Sequence, residues 1–100
     1  MTEFLVDFEV RVPAGTPQSE ITKRDRAESA AAAKLADDGH LVRLWRRTRD
    51  GDGATSAVGL YRADSEAQLD GLLSDLPLGD WLRFTVTPLE SHPNDPPGRS

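Results

Sequence analysis

The segment Gly39-His40-Leu41-Val42-Arg43-Leu44-Trp45-Arg46 constrains the fold of this 100-residue chain more than any other segment. It begins at a glycine that would end a preceding helix, and it then alternates as a strand does. It also brings two arginines and a tryptophan into what should be the middle of a sheet. Charged side chains there are unfavourable unless a partner, a ligand or another subunit meets them. What lies opposite these arginines is therefore the main functional question.

Patterns along the rest of the chain predict four strands and two helices. The predicted strands are residues 4–12, 40–48, 55–61 and 80–88. A polar, glycine-rich hairpin at Arg49–Gly53 joins the second and third strands. The order β-α-β-β-α-β predicts a ferredoxin-like α+β fold, a four-stranded antiparallel sheet with both helices on one face. Residues 1–90 are the predicted domain, and residues 91–100 are a predicted proline-rich tail.

The two helices have recognisable ends. The first is alanine-rich, with Thr16 as its predicted N-cap, Pro17 at its first position and Gly39 as its stop. The second opens at Ser65, which together with Gln68 has the spacing of a capping box.

One stripe of the first helix carries a carboxylate among apolar residues. Its members recur every three or four positions and are Ile21, Arg24, Glu28, Ala31 and Leu35. Burial raises the pKa of a carboxylate toward the range of a useful general base, so Glu28 is the candidate base. A structural ion pair of Glu28 with Arg24 or Arg46 is an equally open alternative.

The sheet face away from the helices is predicted to mix aromatic with charged side chains. Its predicted members are Leu5, Asp7, Glu9, Leu41, Arg43, Trp45, Gly59, Tyr61, Trp81, Arg83 and Thr85. Such a face is too aromatic to remain bare and too charged for a simple core. We therefore expect a second copy to pack on it, sheet to sheet, and to form a dimeric α+β barrel around a polar cavity.

Two kinds of side chain on this sheet suit a small carboxylic acid. Arg43 and Arg46 can each grip a carboxylate with two N–H groups. Trp45 and Trp81 can wall a flat molecule, and Tyr61 is a further candidate for substrate contact. An internal ion-pair network for the arginines and dimer packing for the tryptophans remain the alternatives.

Composition excludes several classes of function. A net charge of −5 leaves no basic surplus to neutralise nucleic-acid phosphates. The chain has no cysteine, and its two histidines, His40 and His92, lack the spacing of metal ligands. No signal peptide or membrane-spanning segment is recognisable. We expect a cytoplasmic protein without a metal site.

Several short motifs, in order, resemble the muconolactone delta-isomerase family. They are Glu28, Gly39, Leu44-Trp45-Arg46, Leu76-Pro77-Leu78, Pro88-Leu89 and His92-Pro93. The resemblance implies a dimeric α+β barrel, often built into larger rings such as decamers, and no metal or organic cofactor. It implies double-bond migration in muconolactone, a lactone acid of the β-ketoadipate route of aromatic breakdown. Glu28 matches a glutamate of the family, and Arg46 matches the arginine of Leu-Trp-Arg.

The chain departs from the family pattern at two places that affect the functional hypothesis. Asp70 stands where the isomerases carry a histidine, and the hairpin before strand three is longer. The first hypothesis is a cofactor-free isomerase with Glu28 as base and Arg46 holding the substrate carboxylate. The alternative is a non-catalytic small-ligand-binding or assembly protein on the same barrel. A monooxygenase on this plan is a weaker third hypothesis.

Overall fold

The computed structural model describes residues 1–47 and 55–96 of the chain. Its elements are β1 Thr2–Val10, α1 Gln18–Asp37, β2 Leu41–Arg46, β3 Thr55–Ala63, α2 Glu66–Ser74, a 3₁₀ turn Gly79–Trp81 and β4 Leu82–Leu89. The strands form one antiparallel sheet in the order β2-β3-β1-β4, so the ferredoxin-like prediction is confirmed. The predicted hairpin at Arg49–Gly53 lies outside the described residues. Within the described ranges, no helix is long and apolar enough to cross a membrane.

The core lies between one face of the sheet and the two helices. It contains alternate apolar residues of β1 and buried leucines of α1, of α2 and of the turn after α2: Phe4, Val6, Phe8, Leu35, Leu69, Leu73 and Leu76. Val6, Leu69 and Leu73 are fully buried. Since burying one such side chain contributes about 1.5–3 kcal/mol, the alternation along β1 and the helical stripes determine which faces meet.

Helix α1 begins one residue later than predicted. Pro17, rather than Thr16, is the N-cap, and its carbonyl accepts the N–H of Glu20 at 3.0 Å. The Thr16 hydroxyl instead donates to the Pro13 carbonyl at 2.6 Å. The prediction was wrong because Thr16 closes the preceding turn, in which Gly15 takes a φ of +84°.

The Gly39 stop and the Ser65 N-cap are confirmed, whereas the second half of the capping box is displaced by one residue, because Gln68 Oε1 accepts the N–H of Asp64 at 2.7 Å. Gly39 has a φ of +83°, and beyond it the N–H of His40 donates to the Leu35 carbonyl at 2.9 Å, as in a Schellman motif. At the start of α2, Ser65 Oγ accepts the N–H of Gln68 at 3.1 Å.

The sheet register corrects the predicted contents of the open face. Tyr61 lies directly opposite Phe4 on β1, and directly paired residues share a face, so Tyr61 and Gly59 point toward the helices. In β2 the register shifts between Leu41 and Arg43, which leaves Leu41 on the helix side and Arg43 on the open side. A β-bulge has this effect because it breaks the two-residue period.

Trp81 is also absent from the open face. It belongs to the 3₁₀ turn before β4 and is buried, with 7% of its surface exposed. The open face carries Leu5, Asp7, Glu9, Arg43, Trp45, Ser56, Val58, Leu60, Arg83 and Thr85. The aromatic content of this face is therefore lower than predicted.

Candidate active site

Glu28 belongs to α1 and lies half-buried against the loop that follows α2. Its Oε1 accepts the N–H of Leu78 at 3.0 Å. Burial raises the pKa of the Glu28 carboxyl above its ordinary value, the Leu78 N–H opposes this rise, and the charge of Asp25 adds to it. A half-buried carboxylate with a raised pKa has the properties expected of a general base.

Neither arginine that was considered as an ion-pair partner is bonded to Glu28. Arg24 Nε donates to Glu20 Oε1 at 3.1 Å, and the Arg24 guanidinium lies 4.3 Å from the centre of the Trp81 ring. Among the described residues, the ion pairs include none between Glu28 and Arg24 or Arg46. The structural ion pair considered for Glu28 is therefore not formed with either arginine.

Tyr61 occupies the helix side of the sheet at the same site. It is 4% exposed, and its ring centre is 5.9 Å from that of Phe8 at an interplanar angle of 59°. Burial raises the pKa of the Tyr61 hydroxyl to about 12, and the charge of Glu28 adds to the rise. The hydroxyl therefore remains a hydrogen-bond donor at any physiological pH.

The two arginines of β2 lie on opposite faces of the sheet. Arg46 pairs with Ala57, which itself lies opposite Phe8, so Arg46 belongs to the same face as Glu28 and Tyr61 and is exposed. Arg43 belongs to the open face, where its guanidinium lies 5.2 Å from the centre of the Trp45 ring. The fold therefore places Arg46 on the helix side of the sheet, where Glu28 lies, and places Arg43 and Trp45 on the open face.

The acidic residues of the open face pair with arginines other than Arg43. Asp7 forms an ion pair with Arg47, and Glu9 forms one with Arg11. All four side chains are partly exposed, so these pairs contribute at most about 1 kcal/mol each. Among the residues that the structure describes, no ion pair joins Arg43 to Asp7 or Glu9, so the internal network proposed as an alternative for the arginines does not include Arg43 on this face.

The remaining polar candidates lie in local structure. His40 Nδ1 is 2.8 Å from the Arg62 carbonyl oxygen, and His92 Nδ1 accepts the N–H of Asn94 at 2.9 Å. Asp70 is exposed on α2. In the part of the chain that the structure describes, no group of three or more acidic or histidine side chains is arranged to hold a metal ion.

Two features of the site were missed by sequence reasoning. The Leu78 N–H is a backbone group, and no sequence signal marks it as the partner of Glu28. Gly59 leaves room for Tyr61, because a Cβ at position 59 would stand 2.5 Å from Tyr61 Cε1. An isolated glycine inside a strand often marks such a close approach, so this signal was available.

The family model for muconolactone delta-isomerase matches residues 2–95 of the chain. The chain belongs to the muconolactone delta-isomerase family. It is 32% identical to muconolactone delta-isomerase 1 of Acinetobacter lwoffii over 94 residues, 91% of each chain. It is 30% identical to the muconolactone delta-isomerase of Cupriavidus pinatubonensis over 91 residues, 91% of this chain and 95% of that one.

Solved structures agree with this family membership. A crystal structure of muconolactone isomerase superposes with a TM-score of 0.80 at 26% identity, covering 93% of both chains. A 5-chloro-2-hydroxyhydroquinone dehydrochlorinase from Burkholderia phenoliruptrix superposes with a TM-score of 0.56 at 14% identity, covering 88% of this chain and 93% of that one; this likeness concerns the fold alone. The family resemblance seen in the sequence motifs is confirmed, and with it the interpretation of the chain as a member of an isomerase family.

Proposed function

We propose that this protein shifts a double bond within a small unsaturated lactone carboxylic acid, with muconolactone as the first substrate to test. The observation that carries the proposal is the Glu28 carboxylate, half-buried in the family's fold, with a raised pKa and with the Leu78 N–H donating to its Oε1. The reaction would belong to aromatic breakdown in the cytoplasm.

The chemistry needs one group that takes a proton and gives it back. Glu28 removes a proton from the carbon beside the double bond, and the electron pair of that C–H bond delocalises toward the conjugated lactone carbonyl. The protonated Glu28 then returns a proton to the far carbon of the original double bond, the one beside the carbonyl, so the double bond has moved and no atom is gained or lost. A carboxyl with a raised pKa suits both steps near neutral pH.

Tyr61 supplies a neutral donor for the charge that develops in between. The enolate oxygen is the group that most needs stabilisation, and an O–H in a water-poor site stabilises it more than one in water does. A pKa of about 12 keeps the Tyr61 proton in place throughout turnover. Tyr61 therefore donates a hydrogen bond to the intermediate rather than transferring its proton.

The remaining candidates divide between the two faces of the sheet. Arg46 shares the face of Glu28 and would hold the substrate carboxylate. Trp81, whose ring lies against the Arg24 guanidinium, would form one wall of the substrate pocket. Arg43 and Trp45 lie on the other face and would contact a substrate only where a second subunit closes that face over a cavity.

Self-association is the second part of the proposal. Trp45 lies on the open face of the edge strand β2, and 41% of its surface is exposed. Its neighbour Leu44 lies on the helix side of the same strand and is 49% exposed. Covering the open face with a second copy would form the dimeric α+β barrel that the sequence suggests, and larger rings such as decamers would extend it. Small molecules and further copies of this chain are the proposed partners.

An ultraviolet assay with (+)-muconolactone, following the migration of the double bond, tests the reaction. We expect turnover by the wild type and a loss of about 10²–10⁴-fold in kcat for Glu28→Gln, the range over which a positioned general base acts. The matched control is Glu66→Gln, an exposed glutamate on the other helix, and it should retain activity. A folded wild type without turnover would favour the ligand-binding alternative.

A further inference from the structure

Two side chains of α1 form hydrogen bonds to the two ends of one peptide group in the loop after α2. The Pro77 carbonyl accepts Arg24 Nη1 at 3.3 Å, and the adjacent Leu78 N–H donates to Glu28 Oε1 at 3.0 Å. This carbonyl and this N–H belong to the same planar unit and point in opposite directions. Arg24 and Glu28 lie one helical turn apart, so the peptide spans the gap between neighbouring side chains of the α1 stripe.

Arg24 is itself held in place from two other directions. Its Nε donates to Glu20 Oε1 at 3.1 Å, and its guanidinium lies over the buried Trp81 ring at 4.3 Å. A planar guanidinium that is stacked on one face and bonded at two nitrogens has little freedom to turn. The direction of the Arg24 bond to Pro77 is therefore fixed by its surroundings.

The loop that carries this peptide is tightly wound. The N–H of Gly79 donates to the Leu76 carbonyl and that of Trp81 to the Leu78 carbonyl, both at 2.8 Å. A Cβ at Gly79 would stand 2.9 Å from the Ser74 carbonyl oxygen, so the loop also lies against the end of α2. A rigid loop transmits the position of the Pro77 carbonyl to the Leu78 N–H.

We propose that Arg24 is a positioning residue for Glu28, acting through the Pro77–Leu78 peptide. By holding the carbonyl end, Arg24 fixes the direction of the N–H that holds Oε1, which leaves Oε2 to exchange the substrate proton. A cation on the carbonyl also polarises the peptide and strengthens its N–H as a donor to the carboxylate. The catalytic part of this inference rests on the proposed function, whereas the effect of Arg24 on Glu28 does not.

The test compares Arg24→Met with Arg26→Met. Methionine keeps an unbranched side chain against Trp81 but removes the cation and the donors. Arg26 is exposed on the same helix, so Arg26→Met matches the change in net charge. The first measurement is an NMR pH titration of the Glu28 side-chain carboxyl carbon, which needs no substrate.

We expect the Glu28 titration midpoint to move to higher pH in Arg24→Met and to stay at the wild-type value in Arg26→Met. The other groups that face Glu28 are Asp25 on α1, Tyr61 on β3 and the Leu78 N–H, and neither substitution changes them directly. With substrate, Arg24→Met should lower kcat about 10-fold or more with KM little changed, since small misplacements of a catalytic group act on the chemical step. On the acid side, the pH at which kcat/KM of Arg24→Met falls to half should match the Glu28 titration midpoint that NMR gives for the same variant.

A Glu28 midpoint that is the same in wild type and Arg24→Met would overturn the proposal, even if the variant melts at a lower temperature. If Arg24→Met does not fold, Arg24→Lys takes its place, because it keeps the charge but loses the planar fork. Its Glu28 midpoint should lie above that of the wild type, and an unchanged midpoint would overturn the proposal. A wild type without turnover refutes the proposed function alone, since the NMR titration still decides whether Arg24 acts on Glu28.

Discussion

Tyr61 lies across Gly59, so that a Cβ at position 59 would stand 2.5 Å from Tyr61 Cε1. We expect Gly59→Ala to push the Tyr61 ring out of place, because both belong to a central strand and the backbone cannot yield. The free energy of unfolding should fall by about 1–3 kcal/mol, the usual effect of overpacking a core. Urea denaturation measures it.

Gly71→Ala is the matched control for this substitution. Gly71 lies inside α2, and a Cβ added there would meet nothing within 4 Å. Alanine at this position should therefore raise the stability by about 1 kcal/mol through helix propensity. Equal effects of Gly59→Ala and Gly71→Ala would contradict the contact between Gly59 and Tyr61.

Glu28→Gln should lower activity while making the protein more stable near neutral pH. Burial raises the pKa of Glu28 above 4.5 in the folded state, so the folded protein binds this proton more tightly than the unfolded chain does. The stability from this group is complete below pH 4.5 and is lost as the pH rises through the folded pKa. The gain of Glu28→Gln over wild type in urea titrations should therefore grow as the pH rises from below 4.5 through the raised pKa of folded Glu28.

Glu66→Gln gives the contrasting result for a carboxylate. Glu66 is exposed in the first turn of α2, where a negative charge is favourable, so removing it should lower stability near neutral pH by at most about 1 kcal/mol. If Glu28→Gln also proves less stable than wild type near neutral pH, the Glu28 charge has a stabilising partner and the expected pH dependence is wrong.

The hydroxyl of Tyr61 can be titrated directly, because it is the chain's single tyrosine. Absorbance in the near ultraviolet, read after rapid mixing and before alkaline unfolding, should give a midpoint near the raised pKa of about 12. In Glu28→Gln the midpoint should fall, since the carboxylate charge that adds to the rise is gone. A wild-type midpoint near 10, the ordinary tyrosine value, would show that the hydroxyl is solvated.

Trp45→Glu should weaken self-association if the open face joins two copies. A new carboxylate buried in the interface is unfavourable without a partner, so sedimentation equilibrium should report a smaller species than for wild type. Ala33→Glu, on the exposed side of α1, makes the same change of charge away from that face. The same mass for wild type and Trp45→Glu would place the interface elsewhere.

Local patterns in the sequence were sufficient to predict the elements and the partial burial of Glu28. The positive φ of Gly39, the Ser65 cap and the α1 stripe were predicted because each depends on residues within one or two turns. The Pro17 cap was missed by one residue, since Thr16 serves the preceding turn instead.

The pairing of distant strands decided which side chains meet at the candidate site. The pairing of Tyr61 with Phe4 placed Tyr61 on the helix side, and the register shift between Leu41 and Arg43 placed Leu41 there too, while Arg43 stayed on the open face as predicted. A shift of one residue reverses the face of every side chain that follows, and sequence periodicity does not reveal where it falls.

Periodicity and capping are local, so the amino-acid sequence was enough to predict the order of elements, the C-terminal stop of α1, the Ser65 cap and the carboxylate on the α1 stripe. Three relationships came from the folded chain: Leu78 bonds Glu28, Arg24 bonds the other end of the same peptide, and the ring of Tyr61 occupies the space that Gly59 leaves open. The first two contacts join α1 to a loop about 50 residues away. Such contacts depend on how the helices pack on the sheet, for which no short segment carries the information.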